Sequence, residues 1–422
     1  MSEEFYLFLT LLIFIVLTYF KKGSDVFAPS RLFTLIWTIV LGLTLFKFSK
    51  FQFQWSSYSW FVIILSLISF LLGNYVVYVL NFYEKSNSIS RIRNESFGKI
   101  YLEENVFYRM IVFLFLVYFI SYLVIYSVTG FIPAFTSRPN FTRTKWGMFG
   151  FGLFIHLTPI ILYLIGAYFI LFRNQLKKII LAFLFILTFF SFFLLYQRFA
   201  LVIAFIMIIN YLYYTTTKIN IKNLFIFLIP LIAIIFGLST LREGNLFIYY
   251  LYVTSKMNFP IKYAIFTEPY MYLVMSVENF AYAVEKLKYH TYGLYSFDFI
   301  LALSGLKHWI KEYWFISDFP SLLSIFYNTY TMFFIYYRDF GLIGSFLFPF
   351  MIGFFISHFY YKMRRLPNLN TISVYGILLT AILFSFFIPL LSWLYFVFDI
   401  IIIYTVTNFI MKKSEIYQNN VV

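Results

Sequence analysis

Ser59-Trp60-Phe61-Val62-Ile63-Ile64-Leu65-Ser66-Leu67-Ile68-Ser69-Phe70-Leu71-Leu72-Gly73-Asn74-Tyr75-Val76-Val77-Tyr78-Val79-Leu80-Asn81 contains no charged side chain. A helix rises about 1.5 Å per residue, so a run of this length crosses a hydrocarbon core of ~30 Å. Lipid offers the backbone no hydrogen bonds, and a helix satisfies its own. This stretch therefore reads as a transmembrane helix, and the same reading extends along the chain.

Apolar windows predict spans at 5–20, 32–48, 59–81, 107–126, 153–172, 178–195, 200–214, 224–240, 341–361, 371–388 and 391–409. The window 200–214 is short for a full crossing. The expected fold class is an all-α polytopic membrane protein of about eleven transmembrane helices in a single integral membrane domain, 1–422. A large loop over 241–340 and a polar, mobile connector over 82–106 interrupt it. The first run follows Ser2-Glu3-Glu4 with no basic n-region, so it reads as a retained helix.

Composition agrees. The chain is 62% hydrophobic and 12% charged, with a mean hydropathy of +0.84, whereas about a quarter of the residues of a soluble domain are charged. Its 61 Phe and 38 Tyr fit interfacial anchoring and AT-rich coding, with stacking on sugar or lipid as the second reading. The net charge of +15 sits between spans, so it sets topology and meets anionic headgroups; nucleic acid is not an expected partner. With no Cys and four scattered His, thiolate and histidine metal chemistry is not expected, and no metal or cofactor is assigned.

Lys and Arg crowd one set of alternate connections: Lys21, Lys22 and Arg31; Lys85, Arg91, Arg93, Lys99 and Arg109; Arg173, Lys177 and Lys178; Lys218 and Lys222; Lys362, Arg364 and Arg365; Lys412 and Lys413. The other short loops carry fewer: Lys47 and Lys50, then Arg138, Arg143 and Lys145, then Arg198. The positive-inside rule predicts an N-terminus outside, a cytoplasmic C-terminus and the 241–340 loop outside. The cytoplasmic connections carry no GxGxxG, P-loop or DxD pattern, which disfavours a nucleotide-sugar transferase.

Charge near a bilayer needs a reason. Arg198, in Leu195-Tyr196-Gln197-Arg198-Phe199, sits in a tight outer hairpin. Arg242 follows the span 224–240, and Arg338 precedes 341–361 beside Asp339. Each guanidinium offers a bidentate fork to a phosphate, and three on one side suit a diphosphate; snorkelling, or an Arg338–Asp339 ion pair, is the structural alternative. Asp399 lies inside the last span, as a proton relay or as an acceptor for neighbouring hydroxyls. His156, before Pro159, reads as a packing residue.

Within the loop, Tyr263, Phe266, Tyr270 and the run 276–286 have helical spacing, which predicts amphipathic helices on the outer surface. A re-entrant or interfacial helix is expected near His308-Trp309.

This layout resembles the bacterial oligosaccharide repeat-unit polymerases, the Wzy-type family. The residues that carry the resemblance are Asp25 with Pro29-Ser30, Tyr196-Gln197-Arg198, Leu241-Arg242-Glu243-Gly244 and, above all, Asn328-Thr329-Tyr330-Thr331 with Tyr337-Arg338-Asp339-Phe340-Gly341-Leu342-Ile343-Gly344. The resemblance implies a GT-C-like, metal-independent glycosyltransferase of the bacterial cytoplasmic membrane. It would join undecaprenyl-diphosphate-linked oligosaccharide units into O-antigen, capsule or exopolysaccharide at the outer leaflet. A flippase and a chain-length regulator of the same pathway are the implied protein partners. Under this reading Arg198, Arg242 and Arg338 stabilise the diphosphate leaving group. Glu268, Glu278, Asp339 and His290 are the candidate bases, with Glu268 favoured because apolar neighbours would raise its pKa. Tyr270, Tyr272, Trp309 and Trp314 are candidates to stack on sugar, and Asn328 and Tyr330 complete the substrate-binding set. An O-antigen-ligase-like transferase and a lipid-linked oligosaccharide flippase or transporter are the alternatives; a membrane O-acyltransferase fits less well because His156 has no Asn or Asp partner in the sequence.

Overall fold

The computed structural model describes residues 13, 25–84, 86–93, 102–217, 246–313, 322–324 and 326–421. Its helices are α1 (Pro29–Leu45), α2 (Ser57–Leu80), α3 (Glu104–Thr129), α4 (Phe151–Ile155), α5 (Thr158–Leu171), α6 (Gln175–Phe193) and α7 (Phe199–Thr215). Then come α8 (Leu246–Thr254), α9 (Thr267–Lys286), α10 (Asp298–Leu303), α11 (Leu306–Tyr313), α12 (Phe334–Arg365), α13 (Leu369–Leu383) and α14 (Leu394–Val421). No strand occurs among the described residues; one isolated bridge pairs Ser49 with Met257.

The chain is an all-α membrane protein. Among the described residues six helical stretches are long and apolar enough to cross a membrane: Ser57–Leu80, Glu104–Phe135, Phe151–Leu171, Gln175–Phe193, Phe334–Arg365 and Leu394–Ser414. The apolar helices α1, α7 and α13 are shorter, at 17, 17 and 15 residues. Every expected span falls on one of these nine stretches except 5–20, of which only residue 13 is described, and 224–240, which lies outside the described residues.

Local chemistry sets the ends. Ser56 accepts a hydrogen bond from the Ser59 amide and caps α2. Gly130 ends α3 at φ 73°, where its amide reaches the Tyr126 carbonyl. The expected span 153–172 is two helices, interrupted at His156-Leu157, because Pro159 opens α5 and has no amide to continue the first ladder.

Two compact units emerge. The first comprises Met1–Ser86, Phe236–Tyr361 and Ala381–Val397; the second comprises Asn87–Ile235, Lys362–Thr380 and Phe398–Val422. In the first, α9 packs against α1 and α2. It buries Met271, Val274, Met275, Val277, Glu278, Asn279 and Phe280. The sequence pattern predicts a surface helix here, and α9 is instead a core element of its unit. Its polar residues at 276, 278 and 279 serve internal hydrogen bonds, which is why they read as a wet face.

The same unit contains a close helix crossing. A Cβ on Gly73 of α2 would meet the Phe350 carbonyl oxygen of α12 at 2.1 Å, and one on Gly353 would meet the Phe70 carbonyl oxygen at 2.1 Å. Beside this contact Ser357 Oγ donates to Asn74 Oδ1. Lipid supplies no hydrophobic drive between spans, so close packing of small residues and side-chain hydrogen bonds hold such pairs together.

In the second unit α5 packs against α7, α6 and α3. The Tyr163 hydroxyl pairs with Ser373 at 2.6 Å, and Asn370 Nδ2 donates to Tyr404 O at 2.8 Å and Thr407 Oγ1 at 2.9 Å. Of the connector expected to be mobile, Asn87 and Arg93 are hydrogen-bonded within this unit. The Asn87 amide donates to Arg364 O at 3.0 Å, and Arg93 Nε donates to Tyr213 O at 2.7 Å. Residues 94–101 lie outside the described set.

Candidate functional site at the broken head of α12

The helix α12 is not continuous. Gly341 sits at φ 57°, ψ −136° and splits it into a short leading segment and a long apolar one. Only glycine adopts that conformation without strain. Space makes the same demand: a Cβ on Gly341 would lie 3.1 Å from both Cε1 and Nε2 of His290. The leading segment packs back on the long one, where the Tyr336 ring stacks on Phe348 at 4.7 Å and Phe340 on Phe348 at 5.4 Å.

A broken helix leaves main-chain carbonyls without helical donors. The 290–296 turn supplies them here. The Thr291 amide donates to Arg338 O at 3.2 Å, and the Tyr292 amide to Asp339 O at 3.1 Å. His290 Nδ1 also lies 3.2 Å from Arg338 O. A carbonyl only accepts, so Nδ1 is the donor in this contact. The His290 side chain is exposed. Tyr292 and Gly293, at φ 48° and 100°, make the reversal that lets this turn wrap the break.

Asp339 fastens the turn from the side chain. It is fully buried. Its Oδ1 accepts from Thr291 Oγ1, and its Oδ2 accepts from the Tyr295 amide at 3.1 Å and the Ser296 amide at 2.6 Å. Arg338 is 5% exposed, and its guanidinium lies 4.3 Å above the Tyr295 ring. Tyr330 stacks on Phe334 at 3.9 Å. Burial pushes the Tyr330 hydroxyl above its ordinary pKa, against a downward pull from the Arg338 charge.

The strap that carries Asn328 and Tyr330 is held by Asn279 of α9, a buried residue with no functional signal in the sequence. Its Nδ2 donates to Tyr327 O at 2.6 Å and Thr329 O at 3.0 Å, and its Oδ1 accepts from the Leu323 amide at 3.1 Å. Ser276 Oγ pairs with Thr329 Oγ1 at 2.7 Å. The Asn328 side chain is exposed.

A second polar knot surrounds Glu278, which is 0% exposed. Its Oε2 accepts from Trp55 Nε1 at 2.7 Å; its Oε1 accepts from Gln52 Nε2 at 3.1 Å and Lys47 Nζ at 3.4 Å. Burial pushes its carboxyl above the usual carboxylate range, and Lys47, Trp55 and Gln52 pull it part of the way back. The Tyr270 hydroxyl belongs to this knot, 2.7 Å from Gln52 Oε1 and 3.1 Å from Leu43 O. Tyr270 is thus an interior hydrogen-bonding residue, with 7% exposure.

The structure brings together Arg338, Tyr330, Asp339 and His290 in the first unit. Glu268 is half-buried in the first turn of α9, near enough for its charge to help raise Tyr327. Tyr272 is half-buried against Tyr327 at 6.2 Å and Phe387 at 5.4 Å. Trp309 is 73% exposed. Arg198 belongs to the second unit, at the cap of α7, where Arg143 Nη1 reaches the neighbouring Tyr196 carbonyl at 3.1 Å. Asp399 also belongs to that unit and is buried. Arg242 and Trp314 lie outside the described residues.

No family model, curated protein or solved structure matches the chain.

Proposed function

We propose that this protein is a glycosyltransferase of surface-polysaccharide assembly. It transfers an oligosaccharide from one undecaprenyl diphosphate carrier onto the next lipid-linked unit, at the outer leaflet of a bacterial cytoplasmic membrane. The observation that carries this reading is Arg338, a guanidinium held over Tyr295 at the broken head of a membrane-length helix. Charge at such a position is costly, and a guanidinium fixed in orientation presents a two-pronged fork to a phosphate.

In the proposed reaction the bond from the sugar's anomeric carbon to the carrier phosphate breaks, and its electron pair leaves on the diphosphate. Arg338 stabilises that growing charge. The acceptor hydroxyl forms the new bond and gives its proton to a base. Of the candidates, His290 is the best supported: its ring is exposed, and its Nδ1 is committed to Arg338 O, which leaves Nε2 to accept. Asp339 and Glu278 are buried, with their oxygens engaged by the protein. Glu268 is the second candidate.

The test is surface-glycan length in cells that lack this chain, complemented with wild type or Arg338→Ala at equal membrane abundance. The proposal expects single repeat units without the chain, long polymer with wild type and short glycan with Arg338→Ala. Full-length polymer left on its lipid carrier would indicate a ligase, units retained at the cytoplasmic face a flippase, and unchanged polymer would remove the assignment.

A further inference from the structure

The connection between α1 and α2, residues 46–56, joins two apolar helices and so lies at one face of the membrane. It does not lie there alone. Ser49 bridges Met257; the Lys50 amide donates to Lys256 O at 3.1 Å, and the Asn258 amide to Phe48 O at 2.7 Å. This pairing brings the 255–266 stretch onto the same face. It also brings four lysines together in one unit: Lys47, Lys50, Lys256 and Lys262.

Three of these ammonium groups sit over aromatic rings: Lys47 over Trp55 at 5.6 Å, Lys256 over Phe51 at 5.1 Å and Lys262 over Tyr263 at 4.9 Å. Lys50, Lys256 and Lys262 are exposed. Lys47 and Lys256 are held at the turn tips in the left-handed conformation, φ 49° and 48°. Around them large apolar side chains face outward: Phe46 at 39%, Phe48 at 37%, Ile261 at 55%, Ile265 at 63% and Phe266 at 60% exposure. Of the carboxylates nearby, Glu278 is buried and tied to Lys47, and Glu268 follows in the first turn of α9.

We propose that this face is a docking surface for anionic phospholipid headgroups, with residues 261–266 dipping into the boundary between headgroups and acyl chains. An exposed apolar edge beside a lysine cluster is the pattern of an interfacial element, with the stem of each lysine over apolar surface and its ammonium at phosphate level. Charge selects the occupant. A choline headgroup brings its own cation to rings already covered by ammonium groups, whereas a headgroup with net negative charge is attracted by Lys50, Lys256 and Lys262, which outnumber the one half-buried carboxylate, Glu268, that follows them. This inference does not depend on the transferase reading.

The test uses the full chain in two assays. Native mass spectrometry counts phosphatidylglycerol and phosphatidylcholine retained by wild type and by the triple variant Lys50→Gln, Lys256→Gln, Lys262→Gln. The chain has no cysteine, so Ile265→Cys provides a unique spin-label site for depth measurement in vesicles containing phosphatidylglycerol. The proposal expects wild type to prefer phosphatidylglycerol, roughly a hundredfold loss of that preference in the triple variant, and a label about 5–10 Å below the phosphates. Equal lipid retention by both proteins would overturn it. So would a label open to aqueous relaxant, or one shielded and immobile irrespective of lipid, which would indicate a protein partner on this face.

Discussion

The Nδ1 nitrogen of His290 and the carbonyl oxygen of Arg338 lie 3.2 Å apart, which links the tautomer of the proposed base to the residue that carries the proposed phosphate fork. Asparagine at 290 would keep a donor near that carbonyl and lose Nε2. His290→Asn is therefore expected to fold and to lower the transfer rate by about 10²–10⁴-fold. The check is single-turnover transfer with purified lipid-linked oligosaccharide beside thermal unfolding; an unchanged rate would assign the base elsewhere.

Gly341 serves the same ring. Gly341→Ala places a methyl carbon 3.1 Å from the imidazole, a few tenths of an ångström tighter than ordinary contact, and forces φ 57° on a residue with a side chain. A cost of about 1–3 kcal/mol is expected, read as a lower unfolding temperature together with loss of transfer. The double variant with His290→Gly relieves the contact with the ring but not the backbone strain, so it is expected to recover only part of the stability and none of the transfer.

Asp339 separates anchoring from base catalysis. Asp339→Ala leaves the part-buried Tyr295 amide and the buried Ser296 amide without their acceptor, at about 1–3 kcal/mol for the buried one. Asp339→Asn keeps one oxygen for them and is expected to retain much of both stability and transfer. Complete loss of transfer in a well-folded Asp339→Asn protein would return this carboxylate to the catalytic role.

Glu278 predicts a pH dependence with a definite sign. Burial raises its pKa in the folded state above the unfolded value. The folded state therefore holds the proton more tightly, so its contribution is fully present below about pH 4.5. That contribution declines as pH rises through the raised folded value. The unfolding temperature of wild type should fall across that window, and Glu278→Gln should flatten the profile. Parallel profiles would show that the Lys47 contact keeps the group charged.

At the α2–α12 crossing, Gly353→Ala and Gly73→Ala each drive a methyl into a main-chain carbonyl. Overpacking costs about 1–3 kcal/mol. Both variants are expected to unfold at lower temperature, whereas Gly152→Ala, where a Cβ meets nothing within 4 Å, should behave like wild type.

The fold was legible where the signal is continuous. Ser57–Leu80 and Gln175–Phe193 read from apolar runs alone, because lipid solvation imposes composition residue by residue. The site was legible in part. Arg338, Asp339 and Gly341 stand out as one polar block before a span, yet their division of labour depends on the 290–296 turn, which approaches from more than forty positions away. Asn279 and the Trp55–Glu278 contact gave no signal, since an interior amide or carboxylate looks the same in sequence as a solvated one. The α9 pattern misled for that reason: its polar positions face a protein interior.

The reciprocal fit of Gly73 and Gly353 also bears on how the chain is assembled. Sliding either helix by one position would bring Leu72 or Asn74, or Ile352 or Phe354, to the point where two backbones touch, so only one register closes. The first of these helices is synthesised long before the second. During that interval the notch at Gly73 faces lipid or an insertion factor, and the first unit is completed only when α12 arrives. Chains truncated ahead of Gly353 should carry that notch open, in the state that membrane quality control removes.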